Sequence, residues 1–160
     1  MATGEPMNAA RMQPRLRRPN GLPQAAGRMP ARRAAPPVLD QTFDAGNLLP
    51  LRSAVAAYAA ELGAGARVDD LVLIAHELAS NAVRHGGGCG RLRLWRDDYR
   101  VICRVSDGGR GIAGAAGAGA ELPGPRSEGG RGLWIARRLA AVRIDTGPKG
   151  TTITAAVPLP

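Results

Sequence analysis

Aromatic side chains are nearly missing from this 160-residue chain: one Phe, two Trp and two Tyr make up 3% of it. A core must therefore be aliphatic and alanine-rich, and the 44% of apolar residues can supply one. No apolar run approaches the roughly 18 residues of a membrane helix, so no span is expected. Residues 1–19, MATGEPMNAARMQPRLRRP, lack the apolar centre of a secretory leader, which makes the cytoplasm the expected location. Cysteines number only two, Cys89 and Cys103, with no C-x-x-C spacing. That excludes a disulfide framework, and His85 beside Cys89 is too few ligands for zinc. Acids are scarce at the N-terminus, where Glu5 faces Arg11, Arg15, Arg17, Arg18, Arg28, Arg32 and Arg33. The net charge of +9 thus describes a tail more than a folded surface.

Residues 1–37 repeat Pro, Gly, Ala and Arg with almost no aliphatic periodicity. Such a segment buries too little apolar surface to offset its ordering entropy, and a disordered basic tail is expected. Through it the chain could bind nucleic acid, although no aromatics interleave the arginines to stack on bases. A folded domain is expected over 38–160. Val38–Phe43 reads as a first strand. Leu48, Leu51, Val55, Tyr58 and Leu62 then mark an amphipathic helix that stops at Gly63. A second helix follows Asp69, with Leu71, Ile74, Leu78, Ala82 and Val83 as its apolar stripe and Gly86-Gly87-Gly88 as its end.

Residues 91–96 and 99–105 alternate as a hairpin turning at Asp97-Asp98, and 142–145 with 151–157 form another across GPKG. Between the hairpins, residues 108–132 are nearly all Gly, Ala and Pro, which suits a mobile loop. A third helix spans Leu133–Leu139. Helices segregated from mostly antiparallel strands predict an α+β, two-layer sandwich.

The second helix carries the most informative stretch, Glu77-Leu78-Ala79-Ser80-Asn81-Ala82-Val83-Arg84-His85-Gly86. Glu77, Asn81 and either Arg84 or His85 recur at helical spacing and share a face set off from the apolar stripe. A hard oxygen on Asn81 suits magnesium, a guanidinium on Arg84 suits phosphate, and Glu77 could handle a hydroxyl proton. Taken alone, the row equally fits a solvated helical face. Two further stretches add to it. Val105-Ser106-Asp107-Gly108-Gly109-Arg110-Gly111 puts an acid at a strand end, ahead of glycines that admit close backbone approach. Glu128-Gly129-Gly130-Arg131-Gly132-Leu133 opens a helix, whose first amides form an anion cradle.

In this order the three stretches resemble the N, G1 and G2 boxes of the GHKL, or Bergerat-fold, ATP-binding domain of histidine kinases and gyrase. More narrowly, the chain resembles the small stand-alone anti-sigma-factor serine kinases, over about residues 40–158. The resemblance implies a Bergerat sandwich with a mixed, mostly antiparallel sheet and helices on one face. It implies ATP and Mg²⁺ as cofactors, with Asn81 as the metal ligand and Glu77 as the general base. Arg84 and His85 would lie near the phosphates. Asp107 would take the adenine amino group, with Gly109 and Gly111 beside the base. Gly130, Gly132 and Leu133 would close around the phosphates, and Thr151 on the last strand would support the adenine. Residues 112–127 would be the ATP lid, with Arg126 or Arg131 as a phosphate contact.

As histidines, only His76 and His85 occur, both within the N-box helix, so an autophosphorylating sensor kinase is not expected. The implied function is that of an ATP-dependent serine/threonine protein kinase that sequesters a sigma factor and phosphorylates an antagonist protein. The alternatives are a non-catalytic module gated by ATP and nucleic-acid binding through the tail. A homodimer is compatible with the resemblance; a membrane partner is not expected.

Overall fold

The computed structural model describes residues 35–124 and 130–160. All but the last three residues of the expected tail, and the segment 125–129 with Arg126 and Glu128, lie outside the described residues. The chain runs β1 (Leu39–Asp44), α1 (Leu48–Glu61), a short 3-10 turn (Gly65–Arg67), α2 (Val68–His85), β2 (Cys89–Asp97), β3 (Arg100–Asp107), α3 (Arg131–Leu139), β4 (Ala141–Gly147) and β5 (Gly150–Pro158).

The strands form one sheet in the order β1-β2-β3-β5-β4, and every neighbouring pair is antiparallel. The expectation of a mixed sheet thus resolves to a fully antiparallel one. α3 separates β3 from β4, yet β5 returns to lie between them, so the last hairpin delivers β5 to the middle of the sheet. Both hairpins turn where expected. In the first, Asp98 takes a left-handed φ of 50°, which aspartate tolerates.

Alternation decides the layering. Leu92, Leu94, Val101, Cys103, Val105, Ile153, Ala155 and Val157 point to one face and join a single buried cluster with the helices. α2 lies at its centre, contributing Leu71, Ile74 and Leu78, each fully buried, and four smaller apolar residues. Truncating one such leucine to alanine costs on the order of 2–5 kcal/mol. Val83 is only partly buried, because the stripe rotates away from the core near the helix end. Cys103 is enclosed here too, and burial pushes its thiol up to about 12.

The opposite face carries a polar ladder. Asp40, Arg93, Arg104, Thr154 and Arg143 are successive register partners across all five strands. Arg104 lies 5.0 Å from the Trp95 ring centroid and donates to Thr154 Oγ1. At the β1 edge the Arg91 guanidinium grips Asp40 through two bonds and holds its carboxyl below the usual carboxylate range. No described helix is long and apolar enough to cross a membrane.

Candidate functional site

α2 changes character along its length. Its first two turns are clamped by apolar packing and by Arg67, which pairs with Asp70 at 2.7 Å and donates to the Leu139 carbonyl that ends α3. Beyond Ile74 the side turned to α3 becomes polar. Glu77 and Asn81 both face Gly132, in the first turn of α3. A β-carbon built on Gly132 would fall 2.6 Å from Glu77 Oε2 and 3.1 Å from Asn81 Nδ2. A methyl group there would push both side chains aside, so the glycine lets the two polar groups sit against the first turn of α3.

The first amides of α3 have no helical partners, because Trp134 N–H is the first to close a turn, onto Gly130 O. They and the positive end of the helix dipole favour negative charge at this end of α3. Arg84, on the next turn of α2, donates from Nη2 to Asn81 Oδ1 at 3.3 Å and from Nε to Ser80 O. Leu133 turns its side chain into the core, so only its backbone is available to a ligand.

A second group forms where α2 stops. Gly86 is buried, and a β-carbon there would run into the Asp107 carboxylate. Gly109 approaches Gly86 as closely: its β-carbon would lie 2.6 Å from Gly86 Cα. Asp107 is partly buried, and its Oδ1 accepts the Gly109 N–H at 3.0 Å, which holds the carboxylate at the rim of the glycine loop. Gly86 lies five residues beyond Asn81, an axial rise of about 7.5 Å, so one extended nucleoside triphosphate can span both groups.

Thr151 completes the far wall. It is the register partner of Asp107 in the β3–β5 pair and is 4% exposed. Gly111 has a φ of 86°, and its β-carbon would meet Gly147 O at 2.7 Å, so both conformation and space require glycine. The loop beyond it is ordered by short turns, Gly117 N–H to Gly114 O and Ala120 N–H to Gly117 O. It is fastened to α3 by Arg137 Nε, which donates to Ala118 O at 2.8 Å, and by Gly119 packing on Leu133. The described part of the expected mobile loop therefore docks on α3.

The structure thus places Glu77, Asn81, Arg84 and Gly132 together, and Asp107, Gly109, Gly111 and Thr151 together. His85 is exposed at the helix end, and Arg131 and Gly130 are exposed at the start of α3. Thr146 and Gly86 were missed by sequence reasoning; Gly86 reads there only as a helix stop. A separate depression of about 420 Å³, lined by Thr42, Asp44, Cys89, Arg91 and Ser106 among others, touches Asp107 and Gly108 from the β1–β2 side. It includes none of Glu77, Asn81, Gly132 or Thr151. The two groups above form the candidate site, and the depression adjoins it at Asp107.

The donor set suits a magnesium nucleotide. Asn81 presents a neutral hard oxygen, the glycine contacts at Gly132 and Gly86 leave room for backbone approach, and the α3 amides supply an anion cradle.

The family model for the histidine kinase-like ATPase domain matches residues 42–157. No curated protein matches. Among solved structures, the histidine kinase domain of a blue-light activated histidine kinase from Erythrobacter litoralis EL346 is 21% identical, with a TM-score of 0.49 over 74% of this chain and 68% of that one. The mycobacterial sensor histidine kinase MprB is 19% identical, with a TM-score of 0.49 over 76% of this chain and 98% of that one. The histidine kinase AdeS of Acinetobacter baumannii is 13% identical, with a TM-score of 0.47 over 76% of this chain and 68% of that one. The chain belongs to the histidine kinase-like ATPase domain family.

Proposed function

We propose that this histidine kinase-like ATPase domain binds Mg-ATP and transfers the γ-phosphoryl group to a serine or threonine of an antagonist protein, while sequestering a sigma factor. The observation that carries the catalytic part is the meeting of Glu77 and Asn81 on Gly132, which brings a carboxylate and the Asn81 amide, whose oxygen Arg84 contacts, to the start of α3. The sigma factor and its antagonist rest on the resemblance of the three boxes to stand-alone anti-sigma-factor kinases.

In this reading Asp107 accepts from the adenine amino group, and Gly109 and Gly111 let the loop backbone lie against the base. Asn81 Oδ1 would hold Mg²⁺, and the bound ion would offset charge on the phosphoryl group being transferred. Arg84 leaves Asn81 Oδ1 and pairs with phosphate oxygens, a stronger, charge-assisted contact than its 3.3 Å bond to an amide. The α3 amides stabilise the same charge from the other side. Glu77 accepts the proton of the attacking hydroxyl. Phosphorylation would then change which partner the antagonist binds.

One observation favours a second reading, an ATP-gated binding module without transfer. The loop beyond Gly111 is tied to α3 through Arg137 and Gly119, so nucleotide contacts at either element would reset a shared surface. Single-turnover transfer of labelled phosphate from Mg-ATP to a co-purified antagonist separates the two. The kinase reading expects a phosphoserine or phosphothreonine product that Glu77→Gln abolishes without loss of Mg-ATP binding. No product with wild-type protein, despite tight ATP binding, would leave the gated module.

A further inference from the structure

Thr151, supporting the adenine in the proposed pocket, has a partner of its own. Among the described residues it is the one buried polar side chain. Its Oγ1 lies 2.9 Å from Thr146 Oγ1, across the β4–β5 pair in which the two residues are register partners. Thr146 Oγ1 also accepts the Ile112 N–H at 2.9 Å, immediately beyond the last glycine of the D-x-G-x-G stretch. A β-carbon on Gly111 would fall 2.8 Å from the same oxygen. The glycine loop, β4 and β5 therefore converge on one hydroxyl.

The direction of the bonds follows from what each group can do. An amide only donates, so Ile112 occupies one lone pair of Thr146, whose single proton remains to be placed. Run from amide to hydroxyl to hydroxyl, the bonds polarise one another in the same sense and strengthen. Thr146 then donates to Thr151, and Thr151 keeps its own proton beside its register partner Asp107. In the opposite sense Thr151 would spend its proton on Thr146 and offer a ligand only lone pairs.

We propose that Thr146 is a positioning residue for nucleotide recognition: it orients Thr151 as a donor and fastens the glycine loop at Ile112. The proposal rests on reading the site as an ATP pocket. A carboxylate acceptor beside a hydroxyl donor reads a ring that offers an amino group next to a bare ring nitrogen, as adenine does. Guanine offers the reverse, a carbonyl oxygen next to a ring N–H. Thr146 thus contributes to selection of adenine over guanine without touching the base.

The test uses the full chain carrying Thr146→Val, which keeps shape and loses the hydroxyl, and Thr146→Ser, which keeps the hydroxyl. Calorimetric titrations with Mg-ATP and Mg-GTP are paired with hydrogen exchange of the Ile112 amide in nucleotide-free protein. Thr146→Val is expected to weaken ATP by about 5- to 10-fold, the worth of one hydrogen bond, with GTP unchanged. Ile112 exchange should quicken, and Thr146→Ser should restore both. Equal losses for ATP and GTP, or a wild-type ATP:GTP ratio with wild-type Ile112 exchange, would overturn the proposal. If Thr146→Val does not fold, Thr146→Ala takes its place in both arms. Failure of wild-type protein to bind any adenine nucleotide would instead defeat the pocket reading. Ile112 exchange would then decide alone, faster exchange upholding the fastening of the loop and unchanged exchange removing it.

Discussion

The two ends of the site are built on different principles. At the Asp107 end the polar groups are fixed before any ligand arrives: the carboxylate by the Gly109 amide, Thr151 by Thr146, and the loop by Ile112. At the Asn81 end the groups rest on one another, with Arg84 on the amide oxygen that the proposed metal would need. The first end is preorganised, and binding there costs little rearrangement. The second must exchange an internal contact for a ligand contact. Base identity should therefore be read by a rigid surface, and phosphates by a responsive one.

The largest expected effect comes from Gly132, the shared support of Glu77 and Asn81. Gly132→Ala puts a methyl group where Glu77 Oε2 and Asn81 Nδ2 lie, so both side chains must move. Losing the proposed Asn81 metal contact and the close approach of the α3 amides should weaken Mg-ATP by on the order of 100-fold, the scale of 2–3 kcal/mol of lost charge-assisted contacts. A titration checks this, with circular dichroism showing that the sheet persists. Asp107→Ala comes next, removing the proposed acceptor for the adenine amino group. ATP should weaken by about 10- to 50-fold while GTP, which this carboxylate opposes, holds or improves. Equal losses would mean that the first end does not read the base. Arg84→Ala should be milder, about 3- to 10-fold for ATP and less for AMP, the signature of a phosphate contact at the responsive end.

The smallest effect lies outside both ends. Asp40 has its carboxyl held below the ordinary value of 3.8, chiefly by its bonds to Arg91. A lowered folded-state value stabilises above the ordinary value and loses that contribution as pH falls through the folded value. The pair is solvent-exposed, so Asp40→Asn should lower Tm slightly at neutral pH, less at high salt, and progressively less as pH falls below 3.8. Nucleotide binding should be unaffected. A loss of ATP affinity in this variant would couple the polar face of the sheet to the site and undo the separation of regions.

Much of this architecture could be read from the sequence because it rests on local patterns. The stripe through Leu71, Ile74 and Leu78 specifies α2, alternation specifies the hairpins, and Gly150 with Gly147 brackets the last turn. The order of the strands was not legible, since insertion of β5 beside β3 depends on pairing across α3 and the glycine loop. That pairing sets Thr151 opposite Asp107. The Gly86–Asp107 contact was hidden for the same reason: a helix-ending glycine carries no sign of the strand behind it. Thr146 pairs with Thr151 within a hairpin, yet its bond to Ile112 joins residues 34 apart in sequence. The glycine-rich loop reads as mobile from composition alone, and its tie to Arg137 is tertiary.

Calorimetric titration of Mg-ATP into wild-type protein, Asn81→Ala and Asp107→Ala tests the central claim, that one nucleotide engages both ends at once. The account predicts one site per chain, weakened at least tenfold by either substitution, the scale of a lost hydrogen bond or metal contact. Wild-type affinity in either variant would contradict it.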